Sequence, residues 1–157
     1  MNPETLERRV RRLEDLEAIR DLKARYAAAC DSGYDADTLA AMFTEDAVWD
    51  GGMLGRHEGR EAIRAFFQGS SSRISFARHH MLNPLIDVDG DTATGTWYLL
   101  QACTYIRDNQ AVWGTGTYHD RYVRTTEGWR FAHVRLESHF WTPYEAGWAQ
   151  VPFIQRR

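Results

Sequence analysis

Three observations place this 157-residue chain in the α+β class. Through residues 4–30, apolar side chains recur every three or four positions, as on one face of a helix. From residue 74 onward the pattern changes to long alternating runs separated by short turns. The helical segments all precede these runs, an order that suits helices packed on one face of an antiparallel sheet. A sheet curved around its helices makes a cone-shaped α+β barrel with an apolar interior, a natural pocket for a small molecule.

The elements follow in order. Residues 4–30 form the first helix, with Leu6, Val10, Leu13, Leu16, Ile19, Leu22 and Tyr26 as its apolar stripe and Glu7–Arg11 as an i,i+4 pair. Its opening, LERRVRRLEDL, reads equally as an arm that packs on another subunit. DSGYDADT stops the helix with Gly33 and several Asp. A short helix opens at Thr38 with LAAMF and closes at TEDA. AVWDGG reads as a strand ending in a turn. HEGREAIRAFFQG reads as a third helix, with Ala62, Ile63, Phe66 and Phe67 on one side, and SSSR as a loop. His57 falls in the turn before that helix and reads as a surface residue.

ISFARHHMLNPLIDVDGD is the first long strand and ends at Asp89-Gly90-Asp91. TATGTWYLLQACTYIRD, AVWGTGTYHDRYVRTTEG and WRFAHVRLESHF follow. Their short connections predict an antiparallel meander. The tail WTPYEAGWAQVPFIQRR contains Pro143 and Pro152 and reads as irregular. With no internal repeat or low-complexity segment, residues 1–157 read as one domain.

Composition narrows the partners. A net charge of −3 argues against nucleic acid. No apolar run is long enough for a membrane span, and the charged N-terminus lacks the apolar middle of a secretory signal. The expected location is the cytoplasm, with Cys30 and Cys103 as reduced thiols. Aromatic residues make up 13% of the chain, enough to fill a core and still line a pocket or an interface.

No phosphate loop, CxxC pair, HExxH or GxSxG motif is present. What remains is Tyr26 and Asp31 at the end of the first helix, and the adjacent His79 and His80. Strand alternation puts His79, Met81 and Asn83 on one face and His80, Leu82 and Pro84 on the other. Alternation alone does not say which face is the pocket. Asp31 also suits a loop-capping carboxylate, and Tyr26 also suits core packing. Five residues on an ideal helix turn about 140°, so Tyr26 and Asp31 line one cavity only if the helix loosens near Cys30. His80, His119, His133 and His139 lack metal-ligand spacing, and no metal site is expected. Trp49, Trp97, Tyr98, Tyr118 and Tyr122 read as core or cavity aromatics. Arg135 reads as an anion anchor or an intersubunit partner.

AIRDLKARYAAACDSGYDADTLAAMFTEDAVWD resembles the opening segment of the SnoaL-like branch of the NTF2-like superfamily. GREAIRAFF resembles that family's third helix, and GTYHDRYVRTTEGWRFAHVRLE its two closing strands. Within the superfamily the chain is most similar to scytalone dehydratase, bile acid 7α-dehydratase and hexachlorocyclohexane dehydrochlorinase. These share an Asp–His dyad, which the resemblance carries onto Asp31 and His79. Their His-x-x-x-Asn pattern matches HHMLN at His79 and Asn83. Tyr26 matches a functional Tyr of the bile acid enzyme, and FWTPYEAGWAQVPF resembles the dehydrochlorinase tail. Gln101 aligns with an acidic residue of the bile acid enzyme and Ser138 with an arginine, so the substrate contacts differ and a bile acid is not implied. By position in the family, Trp49 and Tyr118 are the expected substrate contacts, with Asn83, Gln101 and Ser138.

The resemblance implies a cofactor-independent lyase of the dehydratase or dehydrohalogenase type, acting on a mostly apolar cyclic substrate. His79 would abstract a carbon-bound proton, Asp31 would orient the imidazole, and Tyr26 would donate to a carbonyl or leaving oxygen. The alternatives are a steroid- or polyketide-type ketone isomerase or cyclase, and a non-catalytic ligand-binding or structural subunit. A homotrimer is favoured over a dimer.

Overall fold

The computed structural model describes residues 3–154, with side chains from residue 5. Helix α1 (Pro3–Asp31) is followed by α2 (Ala36–Ala41), β1 (Phe43–Asp50), β2 (Arg56–Glu58) and α3 (Arg60–Ser70). Four long strands complete the chain: β3 (Ile74–Asp89), β4 (Thr92–Tyr105), β5 (Gln110–Thr125) and β6 (Gly128–Pro143). All six strands form one sheet in the order β2-β1-β6-β5-β4-β3. The β3–β6 part is the antiparallel meander expected from the short turns. The sheet as a whole is mixed, because β1 runs parallel to β6. The helices pack on one face of this curved sheet, giving the α+β cone.

Each helix has a local cause. Asp35 caps α2, its carboxylate accepting the Thr38 backbone N–H at 3.1 Å. In α3, Ile63 and Phe67 are buried one turn apart, which fixes the face laid on the sheet. In α1 the apolar stripe divides in two. Leu6, Val10 and Leu13 are exposed, while Ile19 and Tyr26 are fully buried. The first turns therefore overhang the cone, and the later ones fill it.

Three expectations are corrected. Thr44 to Ala47 belong to β1 and do not close α2, because Ala47 is buried and pairing with β6 claims the segment. His57 lies on β2, opposite Trp49, with its ring stacked on Phe66 at 4.3 Å. It is not a free surface residue, and its Nε2 is buried without a hydrogen-bond partner. The tail is less irregular than its prolines suggest. Strand β6 continues to Pro143, and the chain then doubles back so that Trp141 bridges Phe153. The Trp141 N–H donates to Pro152 O at 2.7 Å, and the Ile154 N–H to Trp141 O at 2.8 Å.

Tight backbone approach decides one core position. A Cβ on Gly114 would lie 2.3 Å from the Trp141 ring. Glycine on β5 is therefore what lets the β6 indole lie flat across the sheet.

Candidate active site

The last turn of α1 crosses the start of β3, with Asp31 facing His79. The His79 Nδ1 and Asp31 Oδ1 are 2.7 Å apart, and the His79 backbone N–H donates to both carboxylate oxygens at 3.0 and 3.2 Å. A carboxylate can only accept, so the neutral ring carries its proton on Nδ1 and leaves Nε2 with a lone pair. The Arg78 guanidinium stands 3.6 Å from the other Asp31 oxygen. Both side chains of the pair are nearly shut from solvent, at 6% and 9% exposure.

A cavity of about 770 Å³ opens beside this pair. His79, Tyr26, Trp49, Gln101 and Tyr118 all line it. Asp31 does not. It stands behind His79 and reaches the cavity only through the imidazole. The α1 helix continues unbroken to Asp31, so the loosening expected near Cys30 does not occur. Tyr26 faces the cavity while Asp31, turned away from it, holds the histidine.

Gln101 is directly opposite His79 in the β3–β4 ladder and is buried. Ser138 lies outside the main cavity. It lines an adjoining recess of about 170 Å³ with Met53, Leu54, Tyr105, Trp141 and Ile154, four of which also line the large cavity. Asn83 is the clear departure. It sits at a bulge between Leu82 and Leu85, with φ of +53°, and is exposed away from the cavity. Asn tolerates the left-handed backbone that a bulge demands, so His-x-x-x-Asn serves backbone geometry here. After the bulge the inward side chains are Ile86 and Val88, the other parity from His79 and Met81. His80 is exposed on the outer face of the sheet, and Arg135 is also exposed, 3.5 Å from Glu137.

Several lining residues carried no signal in the sequence. Tyr34 follows Gly33 in a left-handed conformation, φ +57°, and sets its ring edge-on to His79 at 6.1 Å between centroids. Cys30, Phe66, Phe67, Tyr105 and Trp141 complete much of the wall. Ser70, Arg73, Arg107 and Asp108 add polar groups. A regularly spaced aromatic on a helix looks the same whether it packs in a core or faces a void.

Burial sets the protonation of the wall. It raises the pKa of Tyr26, Tyr34 and Tyr118, so each phenol keeps its proton and remains a donor. Burial also pushes the Cys30 thiol up, and Cys103 up to about 12. Both cysteines are free thiols. The Tyr26 hydroxyl accepts the Trp49 indole N–H at 2.9 Å.

Among the described residues, no three of His, Cys, Asp or Glu are grouped to hold a metal ion. Nor is any described helix long and apolar enough to cross a membrane.

Comparison with known proteins gives a consistent frame. The sequence profile of the SnoaL-like domain matches residues 11–135. The uncharacterised protein Rv2910c of Mycobacterium tuberculosis is 32% identical over 123 residues, which is 77% of this chain and 83% of that protein. Among solved structures, a proposed aromatic ring hydroxylase from Novosphingobium aromaticivorans is similar with a TM-score of 0.78 and 31% identity. The match covers 83% of this chain and 94% of that one. Hexachlorocyclohexane dehydrochlorinase LinA-type3 from Novosphingobium barchaimii shares the fold, with a TM-score of 0.77 and 22% identity over 92% of this chain and 97% of that one.

Proposed function

Because the chain belongs to the SnoaL-like family, we propose that it is a cofactor-independent lyase of the dehydratase or dehydrohalogenase type. One observation carries this reading: an imidazole held at 2.7 Å by a carboxylate, on the wall of a largely aromatic cavity. A carboxylate behind Nδ1 does two things for a base. It fixes the tautomer with Nε2 free, and it stabilises the imidazolium once a proton arrives.

The chemistry is an elimination. His79 Nε2 takes a proton from a carbon next to a carbonyl or comparable activating group. The C–H electron pair moves toward that group, and the carbonyl oxygen becomes negative. Collapse of this enolate forms the carbon–carbon double bond and expels the group on the adjacent carbon, hydroxide or halide. A departing hydroxide recovers the proton from the imidazolium and leaves as water; a halide leaves as the anion, and the imidazolium returns its proton to solvent. Tyr26, Trp49, Gln101 and Tyr118 contact the substrate, whose cyclic, mostly apolar body suits the aromatic wall. Ser138, in the adjoining recess, would touch only a substrate that extends there. The dehydrochlorinase among the structural neighbours and the dehydratases of the sequence resemblance support elimination over other uses of the same base.

Exposed Phe76, Leu82, Tyr98 and Leu100 on the sheet are consistent with the trimeric association that the resemblance implies, which sedimentation would test.

The activity test is solvent-deuterium exchange, followed by NMR, on a panel of cyclic β-hydroxyketones and β-halogenated ketones. Exchange at carbon with loss of water or halide is expected, and His79→Ala should abolish both. Exchange with only a shifted double bond would make the protein an isomerase. No exchange on any member, with wild-type and His79→Ala alike, would refute the base.

A further inference from the structure

Lys23 and Asp120 take no part in the mechanism above, and both are fully buried. The Lys23 Nζ lies 2.7 Å from Asp120 Oδ2, and neither side chain has any exposure. The same oxygen accepts the Tyr122 hydroxyl at 2.8 Å, and Tyr122 accepts the Trp97 indole N–H at 3.0 Å. The other oxygen, Asp120 Oδ1, is buried with no partner. Burying two charges is expensive, and an apolar pair of similar size would commonly be as stable or more so. Packing alone therefore gives no reason for this pair.

The position of the ammonium supplies one. It lies 3.6 Å from the centroid of the Tyr118 ring, nearer than to Tyr26 at 5.1 Å or Phe131 at 5.5 Å. Tyr118 also lines the cavity. A single phenol thus meets a buried cation on its ring face and the substrate space elsewhere. Tyr26, the donor expected from the sequence, accepts the Trp49 indole N–H, and its own O–H is turned to the Tyr118 oxygen, which leaves the Tyr118 O–H to donate elsewhere.

Resting on the proton-abstraction reading, we propose that Tyr118 is the hydrogen-bond donor to the substrate oxygen that turns negative, and that Lys23 is a positioning residue that strengthens this donor through its ring. A cation over the face draws electron density from the ring and makes the O–H a better donor to an anion. Asp120 keeps the ammonium charged and fixed where burial would otherwise strip its proton. The phenol keeps its own proton throughout, and no bond to it forms or breaks. A preorganised donor aimed at developing charge favours the transition state over the ground state. The inference also narrows the substrate class: the molecule carries a carbonyl oxygen, because a halogenated hydrocarbon offers no oxyanion for Tyr118.

The test uses 4-nitrophenolate as a mimic of the oxyanion and nitrobenzene as its uncharged counterpart of similar shape. On the wild-type protein, 4-nitrophenolate should bind with its visible band displaced to shorter wavelength. Tyr118→Phe should weaken that binding about 10- to 100-fold and remove the displacement, while nitrobenzene affinity stays within about twofold. Lys23→Met alone leaves Asp120 without its counter-charge and threatens the fold, so Lys23→Met/Asp120→Asn is the informative variant. It should weaken the anion about 3- to 10-fold and spare nitrobenzene. Arg73→Gln should keep the displacement.

Retention of the displacement in Tyr118→Phe, its loss in Arg73→Gln, or wild-type anion affinity in the paired variant would overturn the proposal. None of these measurements needs turnover. A Tyr118-dependent displacement without ketone exchange would uphold the oxyanion site and remove the lyase reading. Exchange with no role for Tyr118 would do the reverse.

Discussion

Two of the acid–base pairs on helix α1 have equal length and opposite fate. At Asp31 the helix supplies the acid, and β3 supplies the base. At Lys23 the helix supplies the base, and β5 supplies the acid. Both contacts measure 2.7 Å. The first borders a cavity, so its histidine can exchange a proton with something outside the protein. The second is sealed under aromatic rings, with Lys23 over Tyr118 and Asp120 tied to Tyr122. Burial lowers the Lys23 pKa and raises that of Asp120, and each partner opposes the effect on the other. Equal distance therefore does not mean equal role. Under the proposed reading, access to a void makes the one pair chemical, and its absence leaves the other electrostatic.

Four experiments press on this contrast. The largest effect should come at the open pair. His79→Ala should lower kcat/KM for the active ketone about 10²- to 10⁴-fold, with the fold intact by circular dichroism. A large loss of secondary structure would show the open pair to be structural as well. The sealed pair should behave in the opposite sense. Lys23→Met should destabilise the protein by about 3–5 kcal/mol in denaturant unfolding, because it leaves a buried carboxylate without its counter-charge. Lys23→Met/Asp120→Asn should recover most of that loss. If the single variant were as stable as the double, Asp120 would not be carrying a buried charge.

A third pair calibrates both. Asp15 receives a two-pronged hydrogen bond from Arg124 at 2.7 and 2.8 Å, and the Trp129 indole N–H at 3.0 Å. The bonds from Arg124, above all, hold its carboxyl below the ordinary value of 3.8. A depressed carboxylate contributes stability that is complete above the unfolded-state pKa and is lost as pH falls through the folded one. Unfolding free energy should therefore decline as pH drops below about 4, and Asp15→Asn should flatten that part of the profile. An unchanged slope would assign acid sensitivity to other carboxylates. The smallest effect belongs to His80→Ala. This exposed neighbour of the proposed base should stay within about 0.5 kcal/mol of wild type and keep its activity. A marked loss would mean that the outer face of the sheet is covered in an assembly.

Much of this arrangement was legible in the chain. The helix ending at Asp31 and the run of antiparallel strands follow from local periodicity, and so does the separation of His79 from His80. The choice of His79 for the pocket rests on the family resemblance. Asn83 was misplaced because alternation holds only while every residue advances the ladder by one step. A bulge consumes a residue without advancing it, and Asn83 is where that happens. Nothing in the local pattern of α1 singles out Lys23. Its partner Asp120 lies ninety-seven positions away, and no local pattern announces such a pairing. Trp141 fell in a stretch judged irregular from its prolines, although Gly114 opposite it leaves room for the ring.

The sequence by itself determined the long helices and strands, their order and the opposite facing of His79 and His80. Those properties depend on neighbours one to four residues apart along the chain. Only the tertiary structure decided that Asp31 stands behind His79 and not beside it in the cavity. It also decided that Lys23 sits beneath Tyr118, and that the tail returns to set Ile154 in the wall. These outcomes depend on how a curved sheet closes around α1, which brings distant residues within hydrogen-bond range and leaves a void among them.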